Sequence, residues 1–147
     1  MNKLLNIALS QYGVKEIEGK EHNPVIIGYS KEIGYGGIIT DETAWCSIFM
    51  NWCALKAGLI RSGKLNARSW LTVGDEVAEP QLGDVVIFWR GQPDGWKGHV
   101  AIYINHSEDG KYIYCLGGNQ NNRVCIKAYN ASQLLGYRRL KEDRSLE

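Results

Sequence analysis

In Asp41-Glu-Thr-Ala-Trp45-Cys46-Ser-Ile-Phe49-Met-Asn-Trp52-Cys53-Ala-Leu-Lys-Ala57-Gly58, apolar residues recur every three or four positions, at Trp45, Phe49, Trp52, Cys53 and Ala57. That is helical periodicity. Asp41 or Thr43 is suited to cap the start and Gly58 to close the end, which puts Cys46 in the first turn. Upstream, Leu4, Leu5, Ala8 and Leu9 predict a first helix that stops at Gly13. Asn23-Pro24 starts a second short helix through Ile26, Ile27 and Tyr29, ended by glycines at 34, 36 and 37. Beyond Pro80 the period changes to two. Residues 84–89, 99–104, 111–116 and 123–127 are short β-rich runs separated by Gly, Pro, Asn and Asp, with a last strand over 135–139. Helices first and an antiparallel meander afterwards give an α+β fold, with the third helix packed on one face of the sheet.

The chain has 147 residues and neither an internal repeat nor a Pro-rich linker, so residues 1–140 are read as one domain. Residues 141–147 are read as a polar tail, frayed or vector-derived. A formal charge of +1 leaves no field to gather nucleic acid or an anionic membrane, and no apolar run reaches the roughly 20 residues of a membrane span. The start, Met1 to Gly13, is read as an amphipathic helix in preference to a secretory signal. Cysteines at 46, 53, 115 and 125 form no CxxC pair and no zinc-binding spacing, so neither metal nor cofactor is expected. Free thiols fit best, although Cys115 and Cys125 flank a turn and are candidates for a cross-hairpin disulfide.

A thiol near a helix N-terminus lies beside unpaired N–H groups that stabilise its anion and also the oxyanion of a tetrahedral intermediate. Cys46 has that placement, whereas Cys53, two turns on, reads as an inert core residue. A thiol nucleophile needs a base. Of three histidines, His99 begins a predicted strand after the turn-rich Gly91–Gly98, while His22 and His106 sit in loops. The imidazole needs a third group to fix its tautomer, and an amide oxygen suffices. Asn119 ends the neighbouring strand and is the first choice; Gln120 is the substitute.

The order and spacing of Asp41–Trp52, Ala67-Arg-Ser-Trp-Leu71, Gly83-Asp-Val-Val-Ile-Phe88, Gly98-His99-Val and Leu116-Gly-Gly-Asn-Gln120 resemble the NlpC/P60 and CHAP superfamily, in a subfamily found in bacterial and phage genomes. The resemblance extends from Gly13 to Arg138. It implies a papain-like fold, with the cysteine on a helix and the histidine on the antiparallel sheet. It also implies hydrolysis of an amide bond in peptidoglycan, either within the stem peptide or between sugar and peptide. Carried over, Cys46 is nucleophile, His99 base and Asn119 the polar third member. Two departures stand out: Gly117-Gly118 replaces the acidic residue often found before that Asn in CHAP enzymes, and Trp45 replaces the Asp that precedes the NlpC/P60 cysteine.

Trp45, Asp41, Trp96 and Gln120 are the candidate substrate-binding residues. Asp41 and Glu42 are also what a helix dipole favours on its own, and this is the stronger reading of them. Trp96, in a Gly-rich loop before His99, is a candidate groove wall, and Trp52 and Trp89 read as core. The expected partner is peptidoglycan or a muropeptide, met by a monomer after release or delivery from the cytoplasm, with a delivery or immunity protein as a further partner. The rival readings are an acyltransferase using the same residues and a wall-binding module without catalysis.

Overall fold

The computed structural model describes residues 2–15, 24–35 and 45–146. Three helices, α1 (Lys3–Ser10), α2 (Pro24–Glu32) and α3 (Trp45–Lys56), precede six strands: β1 (Asp75–Val77), β2 (Val85–Trp89), β3 (Gly98–His106), β4 (Tyr112–Gln120), β5 (Arg123–Asn130) and β6 (Leu134–Arg139). The sheet is antiparallel in the order β1-β6-β2-β3-β4-β5. The predicted meander is therefore β2 to β5, and β6 returns beside β2. Strand β1 and the 3-10 turn Ala67–Thr72 were not anticipated: β1 has only three residues, two of them exposed, which is too few to display an alternation.

Helix α3 is apolar nearly all round, with Trp45, Cys46, Ile48, Phe49, Met50, Cys53 and Ala54 buried, as suits a helix held between α1, α2 and the sheet. Its sheet-side partners include Val85, Ile87, Val100, Ile102 and Leu116. The alternate residues Val86, Phe88, Ala101, Tyr103, Ile113 and Cys115 form a smaller core on the other face, against Tyr129, Leu134 and Tyr137. Tyr29, Phe49 and Trp52 tie α2 to α3 with ring centroids 4.7–6.5 Å apart.

The first turn of α3 is anchored by polar contacts. Ser47 donates to the Lys64 carbonyl (2.7 Å) and accepts from the Trp70 indole (3.0 Å), so the 3-10 turn holds the helix from the side. Gly118 presses against the same turn: a Cβ there would come within 2.8 Å of both Phe49 Cβ and Trp45 Cζ3. Neither ring has room to retreat, being fully buried. Gly118→Ala is therefore expected to destabilise the protein by about 2 kcal/mol, read as a lower urea midpoint at unchanged slope.

The start of the tail is hydrogen-bonded to the loop after α3. Ile60 donates to the Lys141 carbonyl and Asp143 to the Gly58 carbonyl, both at 2.8 Å. All four cysteines are buried thiols. Cys115 lies opposite Lys127 and Cys125 opposite Gly117, so the two are offset along the hairpin and not paired across it. Among the described residues no helix is long and apolar enough to cross a membrane.

Candidate active site

Cys46 is the second residue of α3, and its sulfur lies against the main-chain N–H of Val100, one residue beyond His99. Helix start and strand start thus meet. Alternation along β3 turns the His99 ring away from α3, to the side of Ala101 and Tyr103, where it stacks on Tyr129 with centroids 4.8 Å apart. His99 is fully buried and Cys46 is 2% exposed.

His99 Nε2 lies 2.9 Å from Gln120 Oε1. The amide of Gln120 cannot turn round, because its Nε2 donates to the carbonyls of Cys115 (3.1 Å) and Cys125 (2.6 Å). Its oxygen must face the imidazole, so His99 Nε2 carries the proton and donates it. The lone pair is then on Nδ1, which is buried and has no hydrogen-bond partner among the described residues. A buried, unpaired acceptor is what a general base retains for a proton that arrives only during reaction.

The first choice for the third member was Asn119, but the residue on His99 is Gln120, which the sequence offered as the substitute. The register of β4 against β5 shifts between Gly117 and Gln120, and Asn119 takes a left-handed conformation (φ 57°) within that bulge. One extra residue reverses the alternation, which brings Gln120 inward and leaves Asn119 half-buried beside it. Gly117 permits this, since a Cβ there would stand 2.8 Å from Gln120 Oε1. Gln120→Leu would strand two buried carbonyls and release the tautomer. The expected loss is about 3 kcal/mol in stability and two orders of magnitude or more in turnover, measured by urea titration and steady-state kinetics.

The other candidates separate. Trp45, a candidate for substrate binding, is fully buried against Gly118, which places its indole in the core contact between α3 and the sheet. His22 and the predicted N-terminal caps of α3, Asp41 and Thr43, lie outside the described residues, whereas Gly58 closes the helix at φ 71° as expected. Trp96 is 68% exposed, with the Lys97 ammonium 5.7 Å from its ring centroid. Its loop is held by Arg68, whose guanidinium donates to the carbonyls of Gln92, Pro93 and Lys97 at 2.7–2.9 Å.

Two further residues enter that sequence reasoning missed. Arg90 follows β2 and its charge reaches Cys46, His99 and Tyr129. Tyr129 lies past the predicted end of its strand, which runs three residues further, to Asn130.

The helix N-terminus was expected to stabilise a thiolate, yet burial outweighs it. Burial raises the Cys46 thiol above the usual cysteine range, against the opposing pull of the Val100 N–H, the Arg90 charge and the N–H groups of Ser47 and Cys46. Burial first, then the Arg90 charge, lowers His99 to about 3, with the Gln120 hydrogen bond opposing. At neutral pH the resting pair is thiol and imidazole, both uncharged. Among the described residues no group of three or more His, Cys, Asp or Glu side chains is arranged to hold a metal ion.

The model of one protein family, the CHAP domain, matches residues 38–119. Among solved structures, a protein described as similar to a lipoprotein of the NLP/P60 family, from Staphylococcus aureus subsp. aureus Mu50, aligns with a TM-score of 0.52 and 21% identity, over 93% of this chain. The alignment covers 40% of that longer protein, so the likeness speaks for the fold. No curated protein matches the sequence.

Proposed function

From the premise that the chain belongs to the CHAP domain family, whose members are hydrolases of the peptidoglycan-acting type, we propose that it cleaves an amide bond of peptidoglycan through a thioester on Cys46. The bond is either one within the stem peptide or the one joining muramic acid to the peptide. The observation that carries the reading is the state of His99, with Nε2 locked by Gln120 and Nδ1 buried without a partner among the described residues, next in sequence to the Val100 N–H on the Cys46 sulfur.

The steps follow from that state. Substrate entering the site brings the scissile carbonyl to Sγ. As the S–C bond forms, the thiol proton passes to Nδ1 and the carbonyl oxygen becomes an oxyanion, held by main-chain N–H groups at the start of α3. Collapse breaks the C–N bond, and the departing amine takes the proton from Nδ1. Water then attacks the thioester with His99 again as base, which releases a carboxylic acid and restores the thiol. Because peptidoglycan lies outside the cytoplasmic membrane, the protein acts there after release or delivery.

The test is to incubate purified sacculi with the protein and identify soluble fragments by mass spectrometry. Fragments that carry a new amine and a new carboxylate name the bond. Fragments joined to an added amine would replace hydrolysis by acyl transfer, and intact sacculi from several wall chemistries would remove the proposal.

A further inference from the structure

Gln120 alone underdetermines the His99 ring. One acceptor on Nε2 fixes one point of the imidazole and leaves the tilt of the ring plane, and with it the direction of the Nδ1 lone pair, to its other contacts. A second restraint is present. Tyr129 reaches His99 from β5, an edge strand bonded only to β4 within the sheet, and sets its hydroxyl 3.1 Å from the same Nε2. Its ring stacks on the imidazole at an interplanar angle of 27° and on Phe88 at 25°, with centroids 4.8 and 5.0 Å away. Phe88 is 1% exposed within β2, so the stack is anchored in the second core.

We propose that Tyr129 is a positioning residue that fixes the plane of the His99 imidazole through its ring and shares the Nε2 proton with Gln120 through its hydroxyl. This rests on the Cys46–His99 reading above. The hydroxyl matters most while His99 holds the thiol proton. The transient imidazolium then has two neutral acceptors, Gln120 Oε1 and Tyr129 Oη, and its charge is opposed by Arg90 and Lys127. The Arg90 side chain hydrogen-bonds Tyr129, and the Lys127 ammonium sits 5.4 Å from its ring centroid, so both cations bear on the same tyrosine. Tyr129 thus touches both the imidazole and the cations that disfavour its protonation.

Tyr129→Phe keeps the ring and removes the hydroxyl; Tyr129→Leu removes both. On a soluble muropeptide, kcat is expected to fall about tenfold in Tyr129→Phe and about a hundredfold in Tyr129→Leu, with KM within about twofold of wild type. A residue that only supported the fold would lower the melting temperature without this split between kcat and KM. Independently of turnover, NMR on histidine-labelled protein is expected to show the His99 Nε2–H exchanging with water about ten times faster in Tyr129→Phe. Wild-type kcat in Tyr129→Phe, or unchanged exchange, would overturn the proposal. If wild-type protein releases nothing from any wall, the hydrolase reading fails, and the exchange comparison still decides whether Tyr129 holds His99.

Discussion

Cys46→Ala protein is expected to fold normally and to release muropeptides at least about a thousandfold more slowly than wild type, since the neighbouring Ser47 hydroxyl is engaged by the Lys64 carbonyl and the Trp70 indole. The side chain is 2% exposed, so removing its sulfur leaves a small void and costs at most about 2 kcal/mol. Circular dichroism and a urea titration on the same preparation separate lost chemistry from lost fold. Intact-mass analysis supplies the positive control, because wild type trapped with a slow substrate should carry an acyl adduct on the peptide containing Cys46. Substantial release by the alanine protein would exclude the thioester route altogether.

The second large effect has two parts that a single substitution separates. His99→Gln removes the base and is expected to lower kcat/KM by about three orders of magnitude. It should also change how stability depends on pH. In the folded protein His99 stays neutral down to about 3, whereas in the unfolded chain it takes up a proton below the ordinary histidine value of 6.5. Between these values unfolding binds a proton, so stability contributed by the neutral, buried ring is complete above about 6.5 and is lost as pH falls toward 3. That amounts to about 3 kcal/mol between pH 7 and pH 4. His99→Gln lacks the titrating group and should lose correspondingly less over that interval. Parallel losses in the two proteins would mean that His99 is not held neutral. For the same reason the acid limb of the wild-type kcat/KM profile should fall well below the pH of an ordinary histidine, because the active form is the uncharged pair.

The elements that a single period defines were legible in the sequence. Asn23-Pro24 marked the start of α2, the spacing of Phe49, Trp52 and Cys53 marked α3, and four β-rich runs became β2 to β5. The placement of Cys46 and His99 at the starts of a helix and a strand followed from the same patterns. The third group did not, because alternation counts residues and a bulge inserts one. Leu116-Gly-Gly-Asn reads as turn chemistry, whereas here it is strand, with Gly117 and Gly118 dictated by the approach of Gln120, Phe49 and Trp45. Tyr129 was missed for a different reason. It meets His99 across 30 residues of chain through two strand pairings, and no local pattern encodes a contact of that range. The neutral state of the thiol was hidden as well, since a helix N-terminus is visible in a sequence and the depth of its burial is not.

The hydrogen bond from Asp143 to the Gly58 carbonyl lies beside a recess lined by both residues, and that recess has a practical consequence. Asn2 and Lys3 share it with Gly58, Leu59, Arg139, Glu142 and Asp143, so both ends of the described chain come together there. Cys46 sits at the opposite end of α3, about 15 Å away along the helix axis. A tag attached at either end of the described chain is therefore expected to sit at the Gly58 end of α3, away from Cys46.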